Sequence, residues 1–86
     1  MGYFMNAHAL FYCISNFLED DGVDDIELVG LYHSITISSL KVIDVKIRWG
    51  CLWITKQMSD QRIDQLMINS DQIVYVRGIK KEVLDE

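Results

Sequence analysis

Two histidines, two cysteines, a run of acids and two tryptophans are the residues of this 86-residue chain whose types could carry chemistry. A metal site draws several His, Cys or carboxylate ligands to one place. His8 and His33 fall in different elements, and neither has a second His or a carboxylate at ligand spacing. Both read as polar or structural side chains. Cys51 would need a paired base to act as a nucleophile, but Trp49, Leu52 and Trp53 surround it with apolar bulk. Cys13 and Cys51 therefore read as buried free thiols, small hydrophobes of a reducing compartment. The run Glu19-Asp20-Asp21-Gly22-Val23-Asp24-Asp25 has the composition of a calcium loop without its alternation of acids or its terminal Glu. It reads as a solvated acidic turn or, with Glu27, as a contact surface for Lys and Arg of a partner. No phosphate-cradling glycine loop, Ser-His-Asp order or paired-carboxylate motif stands in the chain. The expectation is a protein that is not an enzyme and has no metal and no cofactor.

Trp49 and Trp53 flank Gly50. In an unbroken strand residues four apart share a face, so one or both are expected to fill the core. An exposed Trp at this place would instead be a binding hot spot.

The elements that position these residues follow from the hydrophobic period. Phe4, Ala7, Phe11, Ile14 and Leu18 recur at spacings of three and four, with Tyr3, Leu10 and Phe17 as a second stripe beside them. This predicts a helix over 3–20 with an unusually wide apolar face. Either the sheet wraps around it, or part of it meets a second copy as a homodimer. Gly22 is placed to stop the helix in a left-handed conformation. From residue 26 the period changes to two. Ile35 and Ile37 alternate with Thr36 and Ser38, and Ile43, Val45, Ile47 and Trp49 alternate with Asp44, Lys46 and Arg48. Gly50 reads as a bulge or tight bend, 51–55 as a strand, 57–62 as a polar loop and 65–68 as a short strand. Asn69-Ser70-Asp71 has hairpin-turn chemistry. Residues 72–77 form a β-branched strand, Gly78 a turn or bulge, and 79–84 a last edge strand. The fold class is α+β: one domain over 1–86, with an N-terminal α-helix packed on a small antiparallel β-sheet or barrel of five to six strands over 26–84.

Composition narrows the class further. Half of the residues are hydrophobic, enough to fill a core in a chain too short for two domains. The apolar N-terminal stretch lacks a preceding Lys or Arg and is broken by Asn6, His8, Ser15 and Asn16, so it reads neither as a signal peptide nor as a membrane span. Met1-Gly2 lacks the Ser or Thr that myristoylation wants at position 6, which is Asn6. A soluble, cytoplasmic protein without a membrane partner is expected. Residues 1–40 carry charge −6 and residues 41–86 carry +1, because all eight Lys and Arg lie from Lys41 onward. An acidic balance argues against phosphate binding and for a basic protein partner.

Two family resemblances bear on the second half of the chain. The run Gly50-Cys51-Leu52-Trp53-Ile54-Thr55 resembles the Gly-x-Leu-Trp-hydrophobic-Thr signature of a small uncharacterised bacterial family with a cupin-like β fold. Asp64, the apolar 66–68, Ser70-Asp71 and 73–76 follow in that family's order, with Ser70 where it has Gly. The resemblance covers about residues 40–84, and it implies a β fold without the histidine cluster of catalytic cupins. Separately, Ile73-Val74-Tyr75-Val76-Arg77-Gly78 is similar to the second motif of Sm-like RNA-binding proteins, which begin with a helix and continue as a five-stranded barrel. That likeness would set Arg77 and Gly78 near RNA in a ring-forming protein. The first Sm motif is not matched across 35–67.

The chain thus reads first as a non-catalytic protein-binding or regulatory module of bacterial or phage type. In its concrete form it is an inhibitor whose acidic surface, Glu19, Asp20, Asp21, Asp24, Asp25 and Glu27, occupies a basic nucleic-acid-binding site. The alternatives are an Sm-like RNA-binding ring and a cupin-like small-ligand-binding barrel.

Overall fold

The change of hydrophobic period is realised as a change of element. In a computed structural model that describes residues 6–80, helix α1 spans Ala7–Glu19 and six strands follow. These are β1 (Asp25–Gly30), β2 (Ser34–Ser38), β3 (Val42–Arg48), β4 (Cys51–Ser59), β5 (Arg62–Ile68) and β6 (Ile73–Ile79). The helix starts at Asn6, whose side-chain oxygen accepts from the Ala9 N–H at 2.7 Å and so satisfies one of the orphan amides of the first turn. Residues 3–5 of the expected helix and 81–84 of the expected last strand lie outside the described residues. Among the described residues no helix is long and apolar enough to cross a membrane.

The strands form two antiparallel three-stranded sheets, ordered β2-β1-β6 and β3-β4-β5. The chain crosses between them twice, each time through a 3-10 turn: Ser39–Lys41 leads β2 into β3, and Ser70–Gln72 leads β5 into β6. Asn69-Ser70-Asp71 is thus a crossing between sheets and not a hairpin, because β6 pairs with β1. Its turn chemistry was legible: the Asn69 side chain accepts from the Asp71 N–H at 3.0 Å. The partner of the following strand was not. At the other crossing the Ser39 hydroxyl donates to the carbonyls of Val23 and Asp24, at 2.8 and 3.0 Å, and pins the corner to the segment leaving the helix.

Three other expectations are corrected. Residues 57–62 are not a loop, since β4 continues to Ser59 and pairs with β5 out to Ser59↔Arg62. These polar residues extend the sheet past the core, where a ladder needs no apolar face. The alternation in β3 is shifted by an irregularity between Val42 and Asp44, which leaves Ile43 exposed while Val45 and Ile47 face inward. Gly22 does not close the helix in a left-handed conformation, since the non-glycine Trp49 and Gly50 alone have positive φ among the described residues. The C-cap is Asp20, in extended backbone, with its N–H donating to the Phe17 carbonyl.

The core lies between the two sheets and under the helix. Its fully buried large side chains, Leu10, Ile14, Ile26, Leu28, Ile37, Leu52 and Ile54, come from α1 and both sheets and are all aliphatic. Phe11, Phe17 and Leu18 pack against them half-buried. Among the described residues both apolar stripes of the helix pack toward the sheets, with Ala7, Leu10 and Ile14 buried and Phe11, Phe17 and Leu18 partly so. Gly78 makes this possible. It sits inside β6 opposite Ile26, not in a turn or bulge, and a Cβ there would lie 2.8 Å from Phe17 Cδ1. Substituting Gly78→Ala is expected to lower stability by about 1–3 kcal/mol through overpacking. Urea unfolding checks this, and an unchanged midpoint would show that Phe17 does not rest on that backbone.

Candidate binding surface

The β3–β4 hairpin is closed by the two residues Trp49-Gly50 after the pair Arg48↔Cys51. Trp49 has φ +57° and Gly50 φ +73°, the positive values at both central positions that a type I′ turn requires. That turn favours Asn-Gly, because a left-handed residue with a Cβ costs about 1–2 kcal/mol. A tryptophan in the first position is thus a conformational expense, and it is not offset by burial, since Trp49 is 75% exposed. The expectation that Trp49 fills the core fails for this reason: the strand ends at Arg48, and the period of two no longer governs where residue 49 points.

Neighbouring side chains hold Trp49 in place. The Arg48 guanidinium carbon lies 4.4 Å from its ring centroid. The half-buried Trp53 ring meets it edge-on at 5.8 Å and 75°. Trp53 is itself fixed by its indole N–H, which donates to the Arg48 carbonyl at 3.0 Å. The two tryptophans that the sequence flagged are therefore brought together, but on the outer side of the sheet. The row continues sideways, because Trp53 stands opposite Lys46 on one side and Met67 on the other, and Met67 is 60% exposed.

Met67 also borders a cavity of about 250 Å³ at this end of the molecule, floored by the buried Leu28, Ile68 and Ile73. Its mouth is formed by the β1–β2 connection and the second 3-10 turn. In that connection the Gly30 N–H donates to the His33 carbonyl at 2.9 Å, which holds Leu31 and Tyr32 out in the loop between them. Tyr32 is 88% exposed. Leu31, Tyr32 and Met67 thus line the pocket, and Trp49 and Trp53 stand outside its lining at the same end of the strands. Sequence reasoning missed Tyr32, Leu31 and the pocket. The 31–33 stretch carries no periodic signal, and the cavity arises only where two sheets splay.

The acidic residues behave differently. Asp20 accepts from the Gly22 N–H at 2.9 Å and faces Lys80 Nζ at 3.7 Å. Glu27, opposite Arg77 across β1 and β6, forms a hydrogen-bonded ion pair with it. Glu19 and Asp21 are exposed, Asp24 and Asp25 half-buried. Two of the six carboxylates, Asp20 and Glu27, thus each face a cation of the same fold. Glu19 instead borders a shallow groove of about 350 Å³ with Asp44, Leu18 and Ile43. Arg77 is engaged with Glu27, and Gly78 lies under Phe17, so the residues that the Sm-like likeness sets near RNA are both in use within the fold.

His8 and His33 are exposed and far apart in the chain, and the described residues hold no group of three or more His, Cys, Asp or Glu arranged for a metal. Cys13 and Cys51 are unbridged and half-buried rather than buried. Compared with known proteins, the chain matches no family model, no curated protein and no solved structure.

If Trp49 serves the surface and not the core, replacing it leaves the fold nearly unchanged. Trp49→Asn removes a ring contact of about 0.5–1.5 kcal/mol and an exposed cation–π contact of about 0.5–1 kcal/mol, and it relieves backbone strain of similar size. Chemical denaturation is expected to place the variant within about 1 kcal/mol of the parent. A loss of about 3 kcal/mol, the scale of a core truncation, would put the ring inside.

Proposed function

We propose that this is a non-catalytic protein-binding module whose contact surface is the apolar end built on the β3–β4 hairpin. The observation that carries the reading is Trp49, a large aromatic held in a left-handed turn and presented to solvent by Arg48 and Trp53. Strain without burial is retained where something other than stability benefits. Binding energy at protein interfaces concentrates in Trp, Tyr and Arg around well-packed pockets, and this end offers Tyr32 in the lining of one and Trp49 and Arg48 at the same end of the strands. Leu31 and Met67 extend it toward the size of a functional apolar patch. The scaffold beneath is rigid sheet, which places these side chains at little entropic cost on binding.

A second reading draws support from the groove between the end of α1 and the start of β3. There Glu19 and Asp44 flank Leu18 and Ile43, a combination suited to an apolar segment bearing Lys or Arg. In this form the inhibitor of a basic nucleic-acid site would use Glu19 and Asp44 more than the paired Asp20 and Glu27.

Affinity purification from the native host separates the two. Tagged parent and Trp49→Asn are compared with Glu19→Gln/Asp44→Asn, each shown to be folded by circular dichroism. The reading expects a protein that is retained by the parent and the charge variant and lost with Trp49→Asn. Loss only with the charge variant supports the groove, and identical recoveries from all three contradict both.

A further inference from the structure

The apolar end carries both a projecting ring and a pocket with room for one. β3 ends at Arg48, paired with Cys51, and Leu52 stands opposite Ile68, which floors the pocket. The knob at Trp49 and the pocket thus lie at the same end of the strands, where β3 turns into β4 and β5 leads into β6. Resting on the reading of this end as a binding surface, we propose that its partner is a second copy of the chain. Each copy inserts Trp49 into the other's pocket around a two-fold axis.

Volume, area and charge support this. A dry cavity of about 150 Å³ takes a benzene ring, and the pocket here, at about 250 Å³, has room for the larger indole. Its floor is aliphatic, while the side chains of Asn69 and Gln72 at its mouth offer acceptors to an entering indole N–H. Trp49 and Tyr32, at about 150–250 Å² each when covered, supply roughly half of the ~800 Å² per partner of a standard interface. Leu31, Met67 and the rims of both copies lie around them to contribute the rest. An end of the fold that holds both halves of one contact is self-complementary, which is the property of an isologous two-fold interface.

Charge favours the same orientation. Each copy has a net charge of −5, so two copies repel at long range. No carboxylate lines the pocket, and the acidic turn lies at the opposite end of β1, where Asp25 pairs with Ile79. Meeting through the apolar ends keeps the acidic turns farthest apart. Arg48 adjoins the knob, and the exposed Asp71 adjoins the hole in the turn between Asn69 and Gln72. Insertion of Trp49 brings Arg48 toward Asp71 of the second copy.

The test is sedimentation equilibrium of the full chain from micromolar to several hundred micromolar. It is run for the parent, for Trp49→Ala, for Gln72→Trp, which fills the mouth of the pocket without touching the knob, and for an equimolar mixture of the two variants. The parent is expected to form a concentration-dependent dimer, and each variant alone to dimerise at least about a hundredfold more weakly. The mixture is expected to regain measurable association, since one intact knob meets one intact pocket. A misfolded variant could not produce that rescue. A parent that is monomeric throughout overturns the proposal, while Trp49-dependent capture of a different protein would leave the binding-module reading standing. Dimerisation undiminished in Trp49→Ala, open-ended assembly in place of a dimer, or a small molecule carried in the pocket by native mass spectrometry would each overturn it as well.

Discussion

The packing of one helix across two sheets that do not close on each other is the constraint on which the rest of this fold depends. Neither three-stranded sheet covers its own inner face, and β5 and β6, neighbours in the chain, are not paired with one another in the described residues. Leu10 and Ile14 of α1 fill the space between the sheets and are fully buried with Leu28 and Ile54, one from each sheet. Without that layer both inner faces would be open to water, at about 25 cal/mol for each Å² of apolar surface exposed. The approach is close enough that β6 carries no side chain at residue 78, under Phe17.

This constraint also sorts the aromatic residues. A core built of interdigitated Leu, Ile and Val between thin sheets has no space for an indole, and the large rings are displaced to the margins. Phe11 and Phe17 flank the helix seam, while Tyr12, Tyr32, Trp49 and Tyr75 are exposed. At the margin near the 3-10 turn Ser70–Gln72 the sheets splay into a pocket, and the β3–β4 turn that carries Trp49 lies at the same end of the strands. At the opposite margin the acids of the α1–β1 connection gather, partly neutralised by Lys80. The molecule thus has an apolar end and an acidic end separated by the length of its strands. Their difference follows from what the core admits and what it excludes.

The legible part of the fold was the part written in periodicity. The helix, the α+β class, the inner residues of β2 and, in β3, Val45 and Ile47 follow from spacings of three, four and two. What failed depended on partners distant in sequence. Whether residue 69 begins a hairpin or a crossing is decided by β1, more than forty residues earlier, which takes β6 as its neighbour. Whether Trp49 points inward is decided by the pairing of Arg48 with Cys51, which turns the chain one residue before the alternation would have buried the ring. The acids were legible as a composition but their internal partners were not, because the cross-strand pairing of Glu27 with Arg77 joins residues 50 apart in the chain. The pocket had no sequence signature at all, being a gap between elements.

The central claim is that Trp49 belongs to the surface by construction: a ring held out by its turn in the folded monomer, not a core residue. Collisional quenching by acrylamide tests it most directly, in a Trp53→Phe variant that leaves Trp49 as the sole tryptophan, at nanomolar dilution where the chain is monomeric. The account predicts red emission and a quenching rate close to that of a free tryptophan analogue, little changed by unfolding in urea. Blue, weakly quenched emission that becomes accessible only when the protein unfolds would contradict it.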